Sequence, residues 1–366
     1  MGVAAATGRA LCRAVRPPGE YVRAACTAYE RKYRRKSFSV AITAEVYSFC
    51  MVHEIATALL PVFFALALGF GAGLRGYVDN RDVSSINKLV MDFAIPVSLF
   101  VSISSTDRSD ITAHAGYIVV TVIALAVVYA VTLVLQQRTF GLQKAEAAVQ
   151  AVTIAYPNYA SIGLPLSAAV VGARGAIAVA IGLAVGSMTI VPFSLALLED
   201  SKLGPNAPGS TLSRFGGALG KSARRPIFWA PMLAIVLVLC GVHMPDLVEK
   251  TLTPLGQAGA GAALFLTGLL LSAQKVSFGP NVAYGIVVKN GLMPLFVWGL
   301  CLLLDLDRLS TTEAVLLTAI PCGFFGLVFS ASFGLQSRVA GSTLMLSTVA
   351  GIASLSVVIA LLPQHV

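Results

Sequence analysis

The chain has 366 residues, of which 57% are apolar and only 12% charged, and its mean hydropathy is +0.82. A soluble globular domain is roughly a quarter charged, so too few charges exist to cover a water-soluble protein of this length. The net charge of +9 is weighted toward residues 1–50, where nine Lys/Arg accompany three Glu. That leaves nucleic-acid binding without support in the rest of the chain.

Residues 1–50 carry Arg9, Arg13, Arg16, Arg23 and the run Arg31-Lys32-Tyr33-Arg34-Arg35-Lys36. They lack an apolar core and so are not a secretory signal peptide. An organellar transit peptide and a basic membrane-surface arm are two readings. The third, an extension ahead of a start at Met51, is preferred because the first apolar run opens almost at once.

A transmembrane helix needs about 20 mostly apolar residues. Ten stretches qualify: 55–74, 86–104, 114–135, 146–170, 175–198, 227–242, 252–272, 281–304, 312–334 and 341–362. They are continuous, not alternating, which argues for helices and against a barrel. The longest connection, 199–226, is rich in Gly, Pro and Ser and separates 51–198 from 227–366, five spans on each side. An odd number of spans per half inverts the second half relative to the first. The expected fold is an all-α polytopic membrane protein of ten transmembrane helices, built as two inverted five-helix repeats with helices four and nine broken.

Loops after the odd-numbered spans hold twelve Lys/Arg and those after the even-numbered spans four. The positive-inside rule puts the odd loops in the cytoplasm and both termini outside, the wrong side for the basic segment 1–50.

The fourth span contains Ala155-Tyr156-Pro157-Asn158-Tyr159-Ala160-Ser161-Ile162-Gly163-Leu164-Pro165, and the ninth Ala319-Ile320-Pro321-Cys322-Gly323-Phe324-Phe325-Gly326-Leu327. Proline removes a backbone donor and glycine weakens a helix. A mid-membrane break is tolerated only where protein or water satisfies the freed backbone groups. The cut ends also present partial charges to a solute. Proline kinks with packing glycines are the bland alternative; two such breaks at matching places favour a binding site.

Candidate ligands follow from that. Asn158 offers an amide to a carboxylate, or else caps a half-helix. Tyr156, Tyr159 and Ser161 add hydroxyls. Lys289, followed by Asn290, is the single Lys or Arg well inside a span and either attracts an anion or snorkels to the interface. Asp92, four residues before Pro96, pairs with Lys289, carries a proton or lies near the surface. His53, His114, His243 and His365 all fall at ends or loops. Cys12, Cys26, Cys50, Cys240, Cys301 and Cys322 show no metal or disulfide spacing. No cofactor, metal or enzymatic motif is recognisable.

Segments 59–78, 86–100, 157–166, 263–272, 288–300 and 320–330, in this order and spacing, resemble the auxin efflux carrier family of the bile/arsenite/riboflavin transporter superfamily. The resemblance covers nearly all of 51–362. It implies a ten-helix carrier whose broken helices four and nine cross. It further implies a bacterial malonate- or malate-type member of the cytoplasmic membrane. By motif position Pro157, Asn158 and Pro321 match the family's crossover, while Cys322 stands where a polar residue is common. The expected function is secondary transport of a small organic anion, a dicarboxylate such as malonate or malate. Its substrate-binding residues would be Pro157, Asn158, Tyr159, Ser161, Gly163, Pro321, Cys322, Gly323 and Lys289. Asp92 is the candidate for proton coupling, the surrounding partner is lipid, and a homodimer is left open. The alternatives are a sodium-coupled symporter of the bile-acid type and a membrane sensor that binds an anion without moving it.

Overall fold

The computed structural model describes residues 60–362, apart from 81–82, 106–107, 173–174, most of 204–223, 243, 274 and 336. The basic segment 1–50, His53, His243 and His365 lie outside the described residues. The described part is all-helical but for one isolated pair of extended residues.

The first half begins with α1 (Leu60–Leu74). Next comes α2, made of Ser84–Lys88, a π-helical turn Leu89–Ala94 and Ile95–Ser104. Short α3 (Arg108–Ala113) leads to α4 (Ala115–Arg138) and α5 (Lys144–Ala155). A second π-helical turn, Tyr159–Gly163, opens α6 (Leu164–Val170), and α7 (Gly175–Met188) and α8 (Ile190–Leu203) follow. Part of the expected loop 199–226 is therefore helical: α8 runs to Leu203, and α9 (Pro226–Leu239) opens on Pro226.

The second half continues with α10 (Asp246–Ser272). In α11, Pro280–Val287 and Met293–Leu303 flank a third π-helical turn, Val288–Leu292. Last come α12 (Arg308–Ala319), α13 (Phe325–Ser332) and α14 (Arg338–Leu361). Six helices among the described residues are long and apolar enough to cross a membrane, while Leu60–Leu74, Ser161–Val170 and Trp229–Leu239 are shorter apolar helices.

The patterning of α4 is that of a helix between lipid and protein. Its buried stripe repeats at helical spacing and carries Tyr117, Thr121, Tyr129, Thr132 and Gln136. Its outward positions Val119, Val127, Val131 and Val134 are exposed and aliphatic. Polar groups sit inside and apolar ones outside, the reverse of a soluble protein. Elsewhere the packing relies on small residues. A Cβ on Gly69 would strike the carbonyl of Phe265, and one on Gly268 the carbonyl of Leu66, so α1 and α10 touch backbone to backbone.

The three π-helical turns share a cause. Pro96, Pro165 and Pro294 each occupy the second position of the helix that follows such a turn. Proline gives no N–H and its ring pushes on the carbonyl four residues back. Those carbonyls belong to Asp92, Ser161 and Asn290, all inside the widened turns. Turns of this kind recur at functional sites.

Candidate functional site

Both proline-bearing segments are broken as expected, and the two breaks meet. Helix α5 stops at Ala155 and the chain becomes helical again at Tyr159; α12 stops at Ala319 and α13 starts at Phe325. Between them Pro157 and Cys322 form an antiparallel bridge. The main-chain N–H of Asn158 donates to the Pro321 carbonyl at 3.1 Å, and the main-chain N–H of Gly323 donates to the Tyr156 carbonyl at 2.8 Å. Pro157 and Cys322 face each other as a non-hydrogen-bonded pair, so the N–H that Pro157 lacks leaves no gap. The Cys322 amide points the other way and donates to Ser347 Oγ at 3.1 Å. Gly323 is required by proximity: a Cβ there would run into the carbonyls of Tyr156 and Pro157.

Side chains lock the crossing from several helices. Tyr156 Oη donates to the Leu183 carbonyl at 2.8 Å, and its ring stacks on Phe325 at 4.8 Å between centroids. Ser161 Oγ meets Thr267 Oγ1 of α10 at 3.1 Å. Gly163 packs beside Val179, where a Cβ would lie 3.2 Å from its methyl carbon.

Lys289 is fully buried. Its ammonium donates to the Thr318 carbonyl at 2.9 Å and approaches Met293 Sδ at 3.3 Å. A Lys amine at the last turn of α12 satisfies one of that helix's terminal carbonyls. This placement settles the choice between interior and snorkelling in favour of the interior, with a main-chain oxygen as partner. Its neighbour Asn290 donates to the Ser347 carbonyl at 2.9 Å and accepts from Ser347 Oγ at 2.6 Å. Lys289, Asn290, Ser347 and the Cys322 amide thus buttress the second break.

Asn158 is different. Its side chain is 1% exposed, yet neither its amide nitrogen nor its amide oxygen has a hydrogen-bond partner. The capping role is not taken up, since the side chain makes no cap hydrogen bond to the turn that follows. Buried polar groups are almost always paired, and an unpaired one costs about 1–3 kcal/mol.

Asp92 is exposed on its helix and is not joined to Lys289 among the described ion pairs. Those pairs are Lys144 with Asp200 at 2.6 Å and His114 with Glu313 at 3.0 Å. The second was missed in the sequence. His114 reads as a helix end, and Glu313 falls at the edge of a span drawn from 312. The available signal was one acid inside an otherwise apolar stretch, Thr312-Glu313-Ala314-Val315-Leu316-Leu317.

Comparison with known proteins agrees with this architecture. A family model described as "Membrane transport protein" matches residues 54–359. The chain is 30% identical over 292 residues to the uncharacterized transporter YfdV of Escherichia coli K12, covering 79% of this chain and 91% of that one. An uncharacterized transporter of Methanothermobacter thermautotrophicus is 25% identical over 308 residues, 81% of this chain and 95% of its own. Auxin efflux carrier component 6 of Arabidopsis thaliana is 29% identical over 123 residues, 32% of this chain and 22% of that protein.

Proposed function

We propose, from the premise that the chain belongs to the membrane transport protein family of the auxin efflux carriers, that it carries small organic anions across a bacterial cytoplasmic membrane. The observation carrying this reading is the Asn158 amide, buried at the crossing of two broken segments and without a protein partner. An amide offers two donors, suited to a carboxylate. The positive end of the half-helix that starts at Tyr159 adds to the attraction. Dicarboxylates such as malonate and malate are the substrates of this reading.

The crossing also supports a ten-helix arrangement of two inverted five-helix repeats, 51–198 and 227–366, with each break contributed by the fourth helix of its half. Alternating access then comes from rocking one group of helices against the other about the fixed crossing. The excess of Lys/Arg in the odd loops supports termini outside the cytoplasm.

The test is counterflow of radiolabelled malonate and malate in proteoliposomes. Exchange faster than in protein-free liposomes is expected. Ligand-dependent thermal stabilisation without any counterflow would replace the carrier with an anion sensor.

A further inference from the structure

We propose that His114 and Glu313 form the proton-binding site of the carrier, connected to the anion site through Tyr117 and Tyr159; this rests on the transport reading above. His114 Nε2 lies 3.0 Å from Glu313 Oε2, and both side chains are buried, that of Glu313 completely. Neither Glu313 oxygen makes a hydrogen bond, so the carboxylate faces His114 at ion-pair distance alone. An ionisable pair removed from water costs more in desolvation than its attraction returns unless further hydrogen bonds support it. An acid kept under those conditions inside a membrane marks a pathway more than a stabilising contact.

The pair has one end near the surface and the other at the crossing. His114 precedes α4 and Glu313 follows the start of α12. The first turn of α4 adjoins the connection before α12, since a Cβ on Gly116 would lie 3.2 Å from Leu306. The two-sided charge count makes this the outer end. Inward, the His114 and Tyr117 rings sit edge to face at 6.3 Å. Tyr117 Oη donates to the Ala178 carbonyl at 2.9 Å, and the hydroxyls of Thr121 and Tyr159 lie beside it. Gly182 makes this approach possible: a Cβ there would fall 2.9 Å from the Tyr159 ring and 3.1 Å from Tyr117 Oη. Tyr159 follows Asn158 directly. Polar side chains of His114, Tyr117 and Tyr159 therefore succeed one another from the outer end toward Asn158.

Few other titratable or charged groups face Glu313. Tyr117 comes from α4 and Tyr159 from the break. Lys289 of α11 reaches α12 at Thr318, roughly 7.5 Å farther along the helix at 1.5 Å per residue, and Cys301 of the same helix lies by Thr311. Asp307 and Arg308 stand at the start of α12 itself. Helices α6 and α7 bring no Asp, Glu, Lys, Arg or His, and α14 brings Arg338 at its first residue alone.

Coupling then follows from Coulomb's law in a medium of low dielectric. A carboxylate bound beside Asn158 and Tyr159 repels the Glu313 charge, and a proton taken up by Glu313 from the outside, by way of His114, removes that repulsion. Each ligand favours the other, by reciprocity. Release of the anion on the far side restores the ionised pair and frees the proton.

Two measurements test this. In detergent, with no substrate, infrared difference spectra of the wild type between about pH 8 and about pH 5, the range in which histidine titrates, are expected to show a protonated-carboxyl band missing from Glu313→Gln. In proteoliposomes, malonate counterflow by the wild type, normalised to the dianion fraction of malonate at each pH, is expected to change at least about tenfold over that range, as one proton-linked equilibrium allows, and by less than about twofold in Glu313→Gln. Glu313→Asp, which keeps the acid, restores both. A band or a slope retained in Glu313→Gln overturns the proposal while leaving the carrier reading intact. A wild type with the band and without counterflow overturns the carrier reading instead.

Discussion

Lys289 Nζ donates to the Thr318 carbonyl at 2.9 Å, placing the buried ammonium of α11 on the last turn of α12. This contact closes the cut end of a helix inside the membrane. In Lys289→Met the carbonyl loses that partner, and a stability loss of about 1–3 kcal/mol is expected. Unfolding midpoints in detergent measure it. A variant that melts like the wild type but no longer gains stability from malonate would assign the ammonium to the cargo.

Asn158→Ala should separate binding from folding. Its side-chain amide makes no hydrogen bond to the protein, so truncation relieves an unpaired buried group, a gain of about 1–3 kcal/mol offset by the packing lost, and no destabilisation is expected. Thermal stabilisation by malonate or malate should disappear. A strongly destabilised variant that still gains stability from the anions would make Asn158 a structural residue.

Ser347 holds two partners at once, the Asn290 amide oxygen at 2.6 Å and the Cys322 amide at 3.1 Å. Ser347→Ala leaves both unsatisfied in a buried setting, at about 2–4 kcal/mol in sum if each costs about 1–2. The pair Ser347→Ala and Asn290→Ala should therefore be non-additive in a double-mutant cycle. Additive losses would show that the chain from Asn290 to the crossing is not one unit.

Gly323→Ala forces a methyl onto the carbonyls of Tyr156 and Pro157. Because both obstacles are backbone, relief requires the crossing itself to open, and overpacking of this kind costs about 1–3 kcal/mol or more. Folded yield by size-exclusion chromatography should fall sharply. Wild-type yield would mean that the two breaks are held less tightly than these distances require.

Asp307 caps α12, accepting from the Ser310 amide at 3.1 Å. Partial burial works against its charge, but hydrogen bonds from Ser310 and Leu309 prevail, and the carboxyl titrates below the usual aspartate value. A depressed value means that the cap contributes fully above about pH 3.9, the unfolded value, and is lost as pH falls through the lower folded one. Asp307→Ala should cost about 1 kcal/mol at neutral pH and progressively less in acid. A penalty that does not shrink in acid would rule out the ionised cap.

The sequence was most informative where one residue type acts alone. Pro157 and Pro321 each remove a backbone donor and Gly163 and Gly323 weaken the helix nearby, so both breaks were legible, whereas the close backbone approach at Gly323 was not. Lys289 was legible as an interior cation, but its partner was not, because a main-chain carbonyl has no letter in the sequence. The His114–Glu313 pair depends on α4 and α12 lying side by side, a tertiary fact that neither local pattern contains. Span limits drawn from hydropathy also hid it: α12 begins at Arg308, four residues before the apolar stretch, which puts Glu313 well within the helix. Asp92 was legible as standing four residues before Pro96, but the widened turn around it, and the matching turn that places Asn290 before Pro294, appear only in the structure.

The knot between Pro157 and Cys322 is tied with main-chain atoms alone. The two hydrogen bonds that join the breaks do not depend on which side chains stand at 158 and 322, although Gly323 and the contacts of Tyr156 and Ser347 still confine the crossing. On the proposed transport reading, a change of side chain at 158 or 322 alters what the site offers a solute while both main-chain hydrogen bonds between the breaks persist.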